Sequence, residues 1–560
     1  MIFSYNFLEE VKEMSNKELA DLIFPNIDKT IEDYEKMYPE RNLPKGALVT
    51  RFAPSPTGFV HIGNLFQALT DYFLAKNSGG IFYLRNEDTD TKREVSSAVE
   101  KIMECLDYVG LNPDEYEYKG EIHGKYGPYI QSERKEIYHA FIKHLIEIGR
   151  AYPCFCSAEE LEVMRKKQEA KKAQPGYYGA WAKCRDLTNE ERAEKIKNGE
   201  SFVIRFRSEG NPNRKVEFDD PVTGIIEFPE NNNDMVIMKS GDLLPTYHFA
   251  HVVDDHLMHT TTVVRGQEWL PSVPLHIEMF DAFGFEKPKY IHNALLLKQD
   301  GNVKRKISKR KDPEALMSYY IEKGYPSISV IESLMTILNS NYEEWRDNHP
   351  DASYLEFEFD AKKVGTSGAL YDLEKLDNIS KNIISKMSAK EVYDGLKKYA
   401  DQFDPEFAQI IENHKEYTIN ILNIERNIEK PRKDYASYSD IKPNIYYMYN
   451  ELLTNDTYEW GRITDLEEIK NVLNTYIDKY YNVEDDKDTW FNKMKELSEE
   501  LGYASNMKEY KQNPDNFKGN VADVSTIIRV ALTTKSRTPD LYEIMRLLGV
   551  DEIKRRISLI

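Results

Sequence analysis

Four cysteines in 560 residues are too few for a disulfide framework, which excludes the small oxidised folds that depend on bridges and predicts a reducing, cytoplasmic setting. One of them, Cys105, falls among the apolar positions of a helical pattern, where a buried thiol sits. No stretch approaches the ~20 apolar residues that a membrane-spanning helix requires, so no membrane partner is expected. The amino terminus, MIFSYNFLEEVKEM, carries acids where a secretory signal would carry positive charge. Positive charge is in deficit overall: the formal net charge is −20, which argues against a surface covered in phosphate contacts. That exclusion is global, and binding is local. Two confined basic strips, Lys304 to Lys311 and the shorter Lys430 to Lys433, can still hold a polyanion. Internal repeats and low-complexity tracts are absent.

What is present is a globular balance, with 41% hydrophobic and 30% charged residues. The length predicts roughly 3 to 5 domains, because single cores stop growing well before this size. The segment ALVTRFAPSPTGFVHIGNLFQALTDYFLAKNSGG reads as a short buried strand over Ala47–Phe52, a loop punctuated by Pro54, Pro56 and Gly58, and a helix in which Leu65, Phe66, Leu69, Phe73 and Leu74 recur at helical spacing. Gly79 and Gly80 end that helix. His61, Ile62, Gly63 and Asn64 are thereby delivered to the first turn of a helix that follows a strand, where unpaired backbone N–H groups attract phosphate. Gly63 permits close approach of a nucleotide, and His61 can donate a hydrogen bond to a phosphate oxygen. A capping role alone for these residues is an equal alternative on four positions.

The whole run RFAPSPTGFVHIGN resembles the first motif, HIGH, of class I aminoacyl-tRNA synthetases, and RFAPSPTG has the form typical of the glutamyl and glutaminyl branch. Asn64 stands where the motif has its second histidine. A second match is IFYLRNEDTD, a strand over Ile81–Leu84 with Glu87, Asp88 and Asp90 at its carboxyl end, where open α/β sheets bind ligands. A third is the run TYHFAHVVDDHLMHTTTVVRGQEWL. A fourth, Lys306, Ile307, Ser308, Lys309 and Arg310, follows a turn at Asp300 and Gly301 and resembles the KMSKS motif in its glutamyl variant.

The resemblance to bacterial-type glutamyl-tRNA synthetases implies a division of roles. His61, Gly63, Asn64, Lys306 and Lys309 would serve catalysis. ATP, with Mg2+, would lie against Pro54, Thr57, His61, Gly63, Asn64, Glu268, Ser308, Lys309 and Arg310. L-glutamate would lie against Arg51, Ala53, Ser55, Glu87, Tyr247, His251 and Arg265, with Glu87 facing the amino group. The arginines suit this task, because a planar guanidinium grips a carboxylate bidentately and glutamate has two carboxylates. Position 251 is His where relatives usually carry Asn, and a neutral imidazole can still donate one bond.

The same resemblance implies the fold: an α/β Rossmann-like class I catalytic domain with an inserted α+β acceptor-binding domain, followed by all-α stem-contact and anticodon-binding domains. The expected boundaries are a helical extension at 1–46, the catalytic halves at 47–150 and 236–298, the insert at 151–235, the KMSKS loop and stem-contact region at 299–385, and the anticodon-binding region at 386–560. Helix assignments include Ser132 as the cap of a helix starting at Glu133, and an apolar face of Val95, Val99, Ile102, Met103 and Leu106. Cys154, Cys156 and Cys184, with Tyr177 near a possible fourth position, are similar to a zinc knuckle of some relatives. Only three are cysteines and an insertion disturbs the spacing, so buried reduced thiols are preferred to zinc. The expected activity is ligation of glutamate to tRNA(Glu) by a monomer. Alternatives are an enzyme that also charges tRNA(Gln), and an inactive tRNA-binding paralogue, which the presence of His61, Glu87, Arg265 and Lys309 disfavours.

Overall fold

The computed structural model describes residues 13–56, 60–90, 97–366, 368–454 and 457–560. The described part of the amino-terminal extension forms two short helices, α1 (Asn16–Ile23) and α2 (Ile31–Met37), each opened by a capping box, Ser15 with Glu18 and Thr30 with Asp33. Their apolar faces bury Leu19, Phe24, Ile31, Tyr34 and Tyr38 in the same core as the first layer of the catalytic fold. Beyond them, Arg41 reaches back into that layer. Its guanidinium grips Glu115 through two bonds of 2.8 and 2.9 Å, donates to the Met258 carbonyl at 2.9 Å, and lies 3.8 Å over the Tyr126 ring.

The catalytic sheet starts as read from the sequence. β1 (Val49–Phe52) pairs in parallel with β2 (Ile81–Leu84), with α3 (Ile62–Asn77) crossing between them. Parallel strands covered on both faces need near-continuous burial, and all four residues of β1 are buried, Arg51 included. The turn after α3 is tight: a Cβ on Gly80 would meet the Leu48 carbonyl oxygen at 1.9 Å, so only glycine fits. α4 (Ala98–Val109) presents Ile102, Cys105 and Leu106 to the core, and the part of the expected face at Val95 lies outside the described residues. α5 (Lys135–Glu147) is entered through a 3-10 turn over Gln131–Arg134. Ser132 does not cap it; its N–H and hydroxyl both donate to Asp88, at 2.8 and 2.5 Å, so the helix start tethers the end of β2 instead.

An antiparallel sheet joins β3 (Ala151–Cys154) and β4 (Val203–Phe206), both within the expected insert, to a strand over Val236–Met238 just beyond its expected end, with helices α6 (Ala158–Ala170) and α7 (Asn189–Lys197) between the first two. The insert's hairpin, β5 (Lys215–Asp220) and β6 (Gly224–Pro229), leaves that sheet. Val216 and Phe218 pack against Val263, Val273, Ile277 and Tyr290 of the catalytic half. With the Val236–Met238 strand numbered β7, the chain returns through α8 (Tyr247–Leu257), β8 (Thr262–Gly266), α9 (Val273–Phe283) and β9 (Lys289–Asn293). β8 and β9 are parallel, and Thr261 joins them to β1 by donating its N–H to the Val49 carbonyl at 3.0 Å.

The basic motif follows a hairpin of β10 (Leu296–Asp300) and β11 (Val303–Lys306), turned at Gly301 with φ +58°. β10 also pairs in parallel with a two-residue strand, Ala369–Leu370, which is too short to leave a pattern in the sequence. Compact unit one runs to Tyr319 and resumes over Leu334–Tyr371; unit two takes Tyr320–Ser333 and Asp372–Ile560. The 299–385 segment, expected as one region, is therefore shared between both units. Among the described residues from 372 onward all regular structure is helical. That unit has two apolar clusters, one around Tyr393, Leu396 and Ile441, the other around Val472, Met494 and Ile528. Buried Arg556 in the last helix donates to the carbonyls of Tyr447 and Leu532 at 2.7 and 2.5 Å. Among the described residues no helix is long and apolar enough to cross a membrane.

Arg41 and Glu115 are 6% and 12% exposed, so breaking the pair leaves a nearly dry carboxylate. The Arg41→Ala chain is expected to lose about 3 kcal/mol in unfolding of the first unit, read by urea titration of its fluorescence. A loss below about 1 kcal/mol would assign the arm a merely peripheral contact.

Candidate active site

A cavity of about 1150 Å³ opens at the carboxyl ends of β1, β2 and β8. Arg51, Ala53, Pro54, Ser55, Asn64, Glu87, Tyr247, Arg265 and Lys309, nine of the residues singled out from the sequence, line it together. Thr57 lies outside the described residues. Four separate stretches of chain thus meet at one space, three of them because parallel strands end on the same edge.

His61 opens α3 as its cap: Nδ1 accepts from the Gly63 N–H at 2.9 Å. A Cβ on Gly63 would lie 2.9 Å from that same nitrogen, so glycine keeps the cap intact. The capping reading is therefore correct, and it does not displace the other one. With Nδ1 an acceptor, the proton sits on Nε2, which is left to donate. Burial first, then the charges of Lys309 and Lys306, bring His61 down to about 4, so the ring is neutral at pH 7. Those two lysines belong to the KISKR segment, whose charges therefore act directly on His61. The helix start and the basic loop share one site.

The loop itself is braced by Asp312. Arg305 donates to both its oxygens at 2.7 Å and the Ser308 N–H donates at 2.9 Å, holding the carboxyl well below the usual range. Lys306 pairs with Glu268 at 3.2 Å, and Arg310 is exposed. Partial desolvation lowers the Lys309 ammonium.

Arg51, Arg85 and Arg134 are anchored by buried acids on α8. Asp255 accepts from Arg85 at 2.6 Å, contacts Arg51 Nε at 3.4 Å, and is held well below its ordinary value by those two guanidiniums against its own burial. Asp254 accepts from Arg134, Tyr138 and Gln131 at 2.7, 2.7 and 2.8 Å. Arg85 also donates to Glu87 at 3.0 Å; burial nevertheless raises Glu87. The placement of His251 corrects its expected substrate contact. It is wholly buried behind the wall, with Nδ1 2.5 Å from Asp255 and Nε2 2.9 Å from the Tyr290 hydroxyl, and its ring stacks on Tyr247. Tyr247 is in turn 4.5 Å from the Trp269 ring.

Sequence reasoning missed Asp254, Asp255, Arg85, Arg134, Gln131, Asp220, His248, His276 and His292. The readable signal was VVDDH: adjacent acids within an apolar helical run are buried, and buried acids demand cations.

The cysteines converge as well. The sulfurs of Cys154, Cys156 and Cys184 lie within 4.8 Å of one another. The Tyr177 hydroxyl is 3.4 Å from Cys154 Sγ and 3.3 Å from Cys156 Sγ, and accepts from the Cys184 N–H at 3.0 Å. The Arg205 guanidinium lies 4.0 Å over the Tyr177 ring. Hydrogen bonds from the two other thiols and the phenol lower the Cys154 thiol, while Cys156 is raised. Three sulfurs and a phenol oxygen thus gather in one cluster, the residues that could hold a structural metal ion.

Comparison with known proteins gives a consistent result. Residues 47–376 match the catalytic domain of the class I tRNA synthetases (E and Q), and residues 400–560 match an anticodon binding domain. The chain is 49% identical to a glutamate--tRNA ligase of Clostridium perfringens (strain 13 / Type A), over 97% of this chain and 100% of that one. It is 40% identical to a glutamate--tRNA ligase of Sorangium cellulosum (strain So ce56), over 94% and 97%. A crystal structure of a glutamate tRNA ligase from Elizabethkingia meningosepticum in complex with its amino acid superposes with a TM-score of 0.73 at 26% identity, covering 91% of this chain and 98% of that one. With the motifs, the cavity and these likenesses in agreement, the chain belongs to the class I tRNA synthetases of the E and Q type.

Proposed function

We propose that this chain uses ATP to join L-glutamate to the 3′ end of its tRNA through a glutamyl-adenylate. The observation that carries the reading is one cavity lined by Arg51, Arg265 and Lys309, with the Lys309 charge acting on His61. Two guanidiniums suit a substrate with two carboxylates, and a neutral donor beside a cationic loop suits a triphosphate.

Charge sets the mechanism. The α-carboxylate of glutamate attacks the α-phosphorus of ATP, and two unit anions about 4 Å apart repel by about 4 kcal/mol at an effective dielectric near 20. Catalysis must then be alignment and cationic stabilisation; the nucleophile is already ionised and needs no general base. Arg51 and Arg265 hold the amino acid in line, Glu87 receives its ammonium, and Ala53 and Ser55 border it. His61 donates from Nε2 to a phosphate oxygen of ATP. Pro54, Gly63 and Asn64 form the turn on which the triphosphate rests, with Lys306, Ser308, Lys309 and Arg310 closing over the leaving pyrophosphate. ATP enters as its Mg2+ complex beside Glu268, which must release Lys306 for the loop to close. The 2′-hydroxyl of the terminal ribose then attacks the adenylate's carbonyl carbon, taking the glutamyl group as an ester and releasing AMP. The insert over 151–235 is assigned to the acceptor end, and the helical tail to the anticodon.

The knuckle of Cys154, Cys156, Cys184 and Tyr177 would hold zinc as a structural ion, tying β3 to the segment before α7. No chemical step passes through it.

Pyrophosphate exchange with each amino acid, with and without tRNA, should show glutamate alone supporting turnover. His61→Ala should lower kcat by about a hundredfold or more with the KM for glutamate little changed; preference for another amino acid would reject the pocket assignment. Charging purified tRNA(Glu) and tRNA(Gln) separately decides whether the narrower or the broader tRNA specificity holds. Protein purified without chelators should contain about one zinc per chain by mass spectrometry, and Cys156→Ser should lose it. A metal-free wild-type protein would return these residues to plain buried thiols.

A further inference from the structure

Arg265 is 3% exposed, and two of its three nitrogens are already taken. Nε donates to His292 Nε2 at 3.1 Å and Nη1 donates to His276 Nδ1 at 3.1 Å. Its face covers the Tyr290 ring at 4.6 Å. Nη2 is buried without a hydrogen-bond partner, on a residue that lines the cavity. A buried guanidinium nitrogen left unpaired costs free energy unless a ligand meets it.

The partners form an ordered chain. Arginine has donors only, so His292 Nε2 and His276 Nδ1 must both present lone pairs. The His292 proton is then on Nδ1, where it is donated to Asp220 Oδ2 at 2.8 Å; the His292 backbone N–H donates to the same oxygen at 3.0 Å. The His276 proton is on Nε2, donated to His248 Nδ1 at 2.9 Å. Asp220, His276 and His292 are wholly buried, and burial, more than the nearby arginine, keeps His248 and His292 below their ordinary value. The other oxygen of Asp220 accepts from the Val222 and Thr223 N–H groups at 2.8 and 3.3 Å, fixing the carboxylate in the turn of the β5–β6 hairpin.

We propose that His276, His292 and Asp220 are positioning residues for amino-acid recognition: they lock the guanidinium of Arg265 by two of its nitrogens so that Nη2 alone is aimed at a substrate carboxylate. Resting on the functional reading above, this makes a hairpin of the inserted segment part of the glutamate pocket. Protonation of either histidine would replace a lone pair by a donor and set two cations side by side. The arginine orientation therefore depends on which nitrogen carries each proton, not on packing alone.

The test is calorimetric binding of a non-hydrolysable glutamyl-sulfamoyl-adenosine, whose nucleoside part keeps weakened complexes measurable. His276→Leu and His292→Leu remove the lone pairs and should weaken binding on the order of tenfold to a hundredfold. His276→Asn and His292→Gln restore an acceptor near the lost nitrogen and should stay within about threefold of wild type, the rest of the site being unchanged. In an Arg265→Ala background, His276→Leu should weaken binding no further, because its effect runs through the arginine. Equal losses in the Leu and the amide variants, or a full additional loss in the Arg265→Ala background, would overturn the inference. If a Leu variant does not fold, loss of tenfold or more in the amide variants overturns it equally. Failure of the wild-type protein to bind the analogue would instead reject the functional reading.

Discussion

Asp255 carries a negative charge where water cannot reach, and the geometry of the pocket is a consequence of what that charge demands. Transfer of a carboxylate into the interior costs several kcal/mol even after relaxation, so the site is stable only if cations come with it. Arg85 and Arg51 supply them, with His251 beside the same oxygen. Each is thereby fixed: Arg51 at the cavity wall, Arg85 where it can also hold Glu87, and His251 as the ring against which Tyr247 stacks. Asp254 does the same one residue earlier, gathering Arg134, Tyr138 and Gln131 and so pinning the start of α5 to α8. Removing one member of such a set leaves an uncompensated buried charge, which costs more than the pair itself contributes.

This arrangement reconciles an acidic protein with anionic substrates. The excess negative charge is spread over the chain, whereas at the cavity Asp255 and Glu87 are paired with arginines and Arg265 keeps one N–H group unspent. One end holds a donor-only arginine framed by neutral histidines; the other holds a neutral His61 beside Lys309. Neutral histidines matter at both ends, since a protonated ring would compete with its neighbouring cation for the same anion. Glu87 lines the same cavity, in a position to receive an ammonium.

The scaffolding around the site is drawn from segments that look peripheral in one dimension. The amino-terminal arm contributes Arg41 to a nearly dry ion pair and aromatic rings to the main core. The insert sends Phe218 and Asp220 onto the catalytic half while its own sheet keeps the cysteine knuckle. A hairpin that packs against β9 and orients His292 cannot move independently of the pocket.

Local features were legible because their causes are local. The strand, loop and helix over residues 47–77 follow from periodicity and punctuation, the turn at Gly301 from its own backbone, and the helical tail from its 3.6-residue pattern. The motif residues His61, Glu87, Arg265 and Lys309 were readable because each lies within a contiguous run whose order along the chain carries meaning. The sequence by itself determined which chemical groups are available and which helices and strands present them. Only the tertiary structure decided that Ser132 serves Asp88 and not its own helix, that His251 stands behind the wall, that Tyr177 joins the three cysteines, and that Asp220 steers an arginine through His292. Those outcomes are pairings between residues tens or hundreds of positions apart. A buried polar atom must find a partner, but the sequence states only the need; folding in three dimensions determines which partner is near enough to meet it.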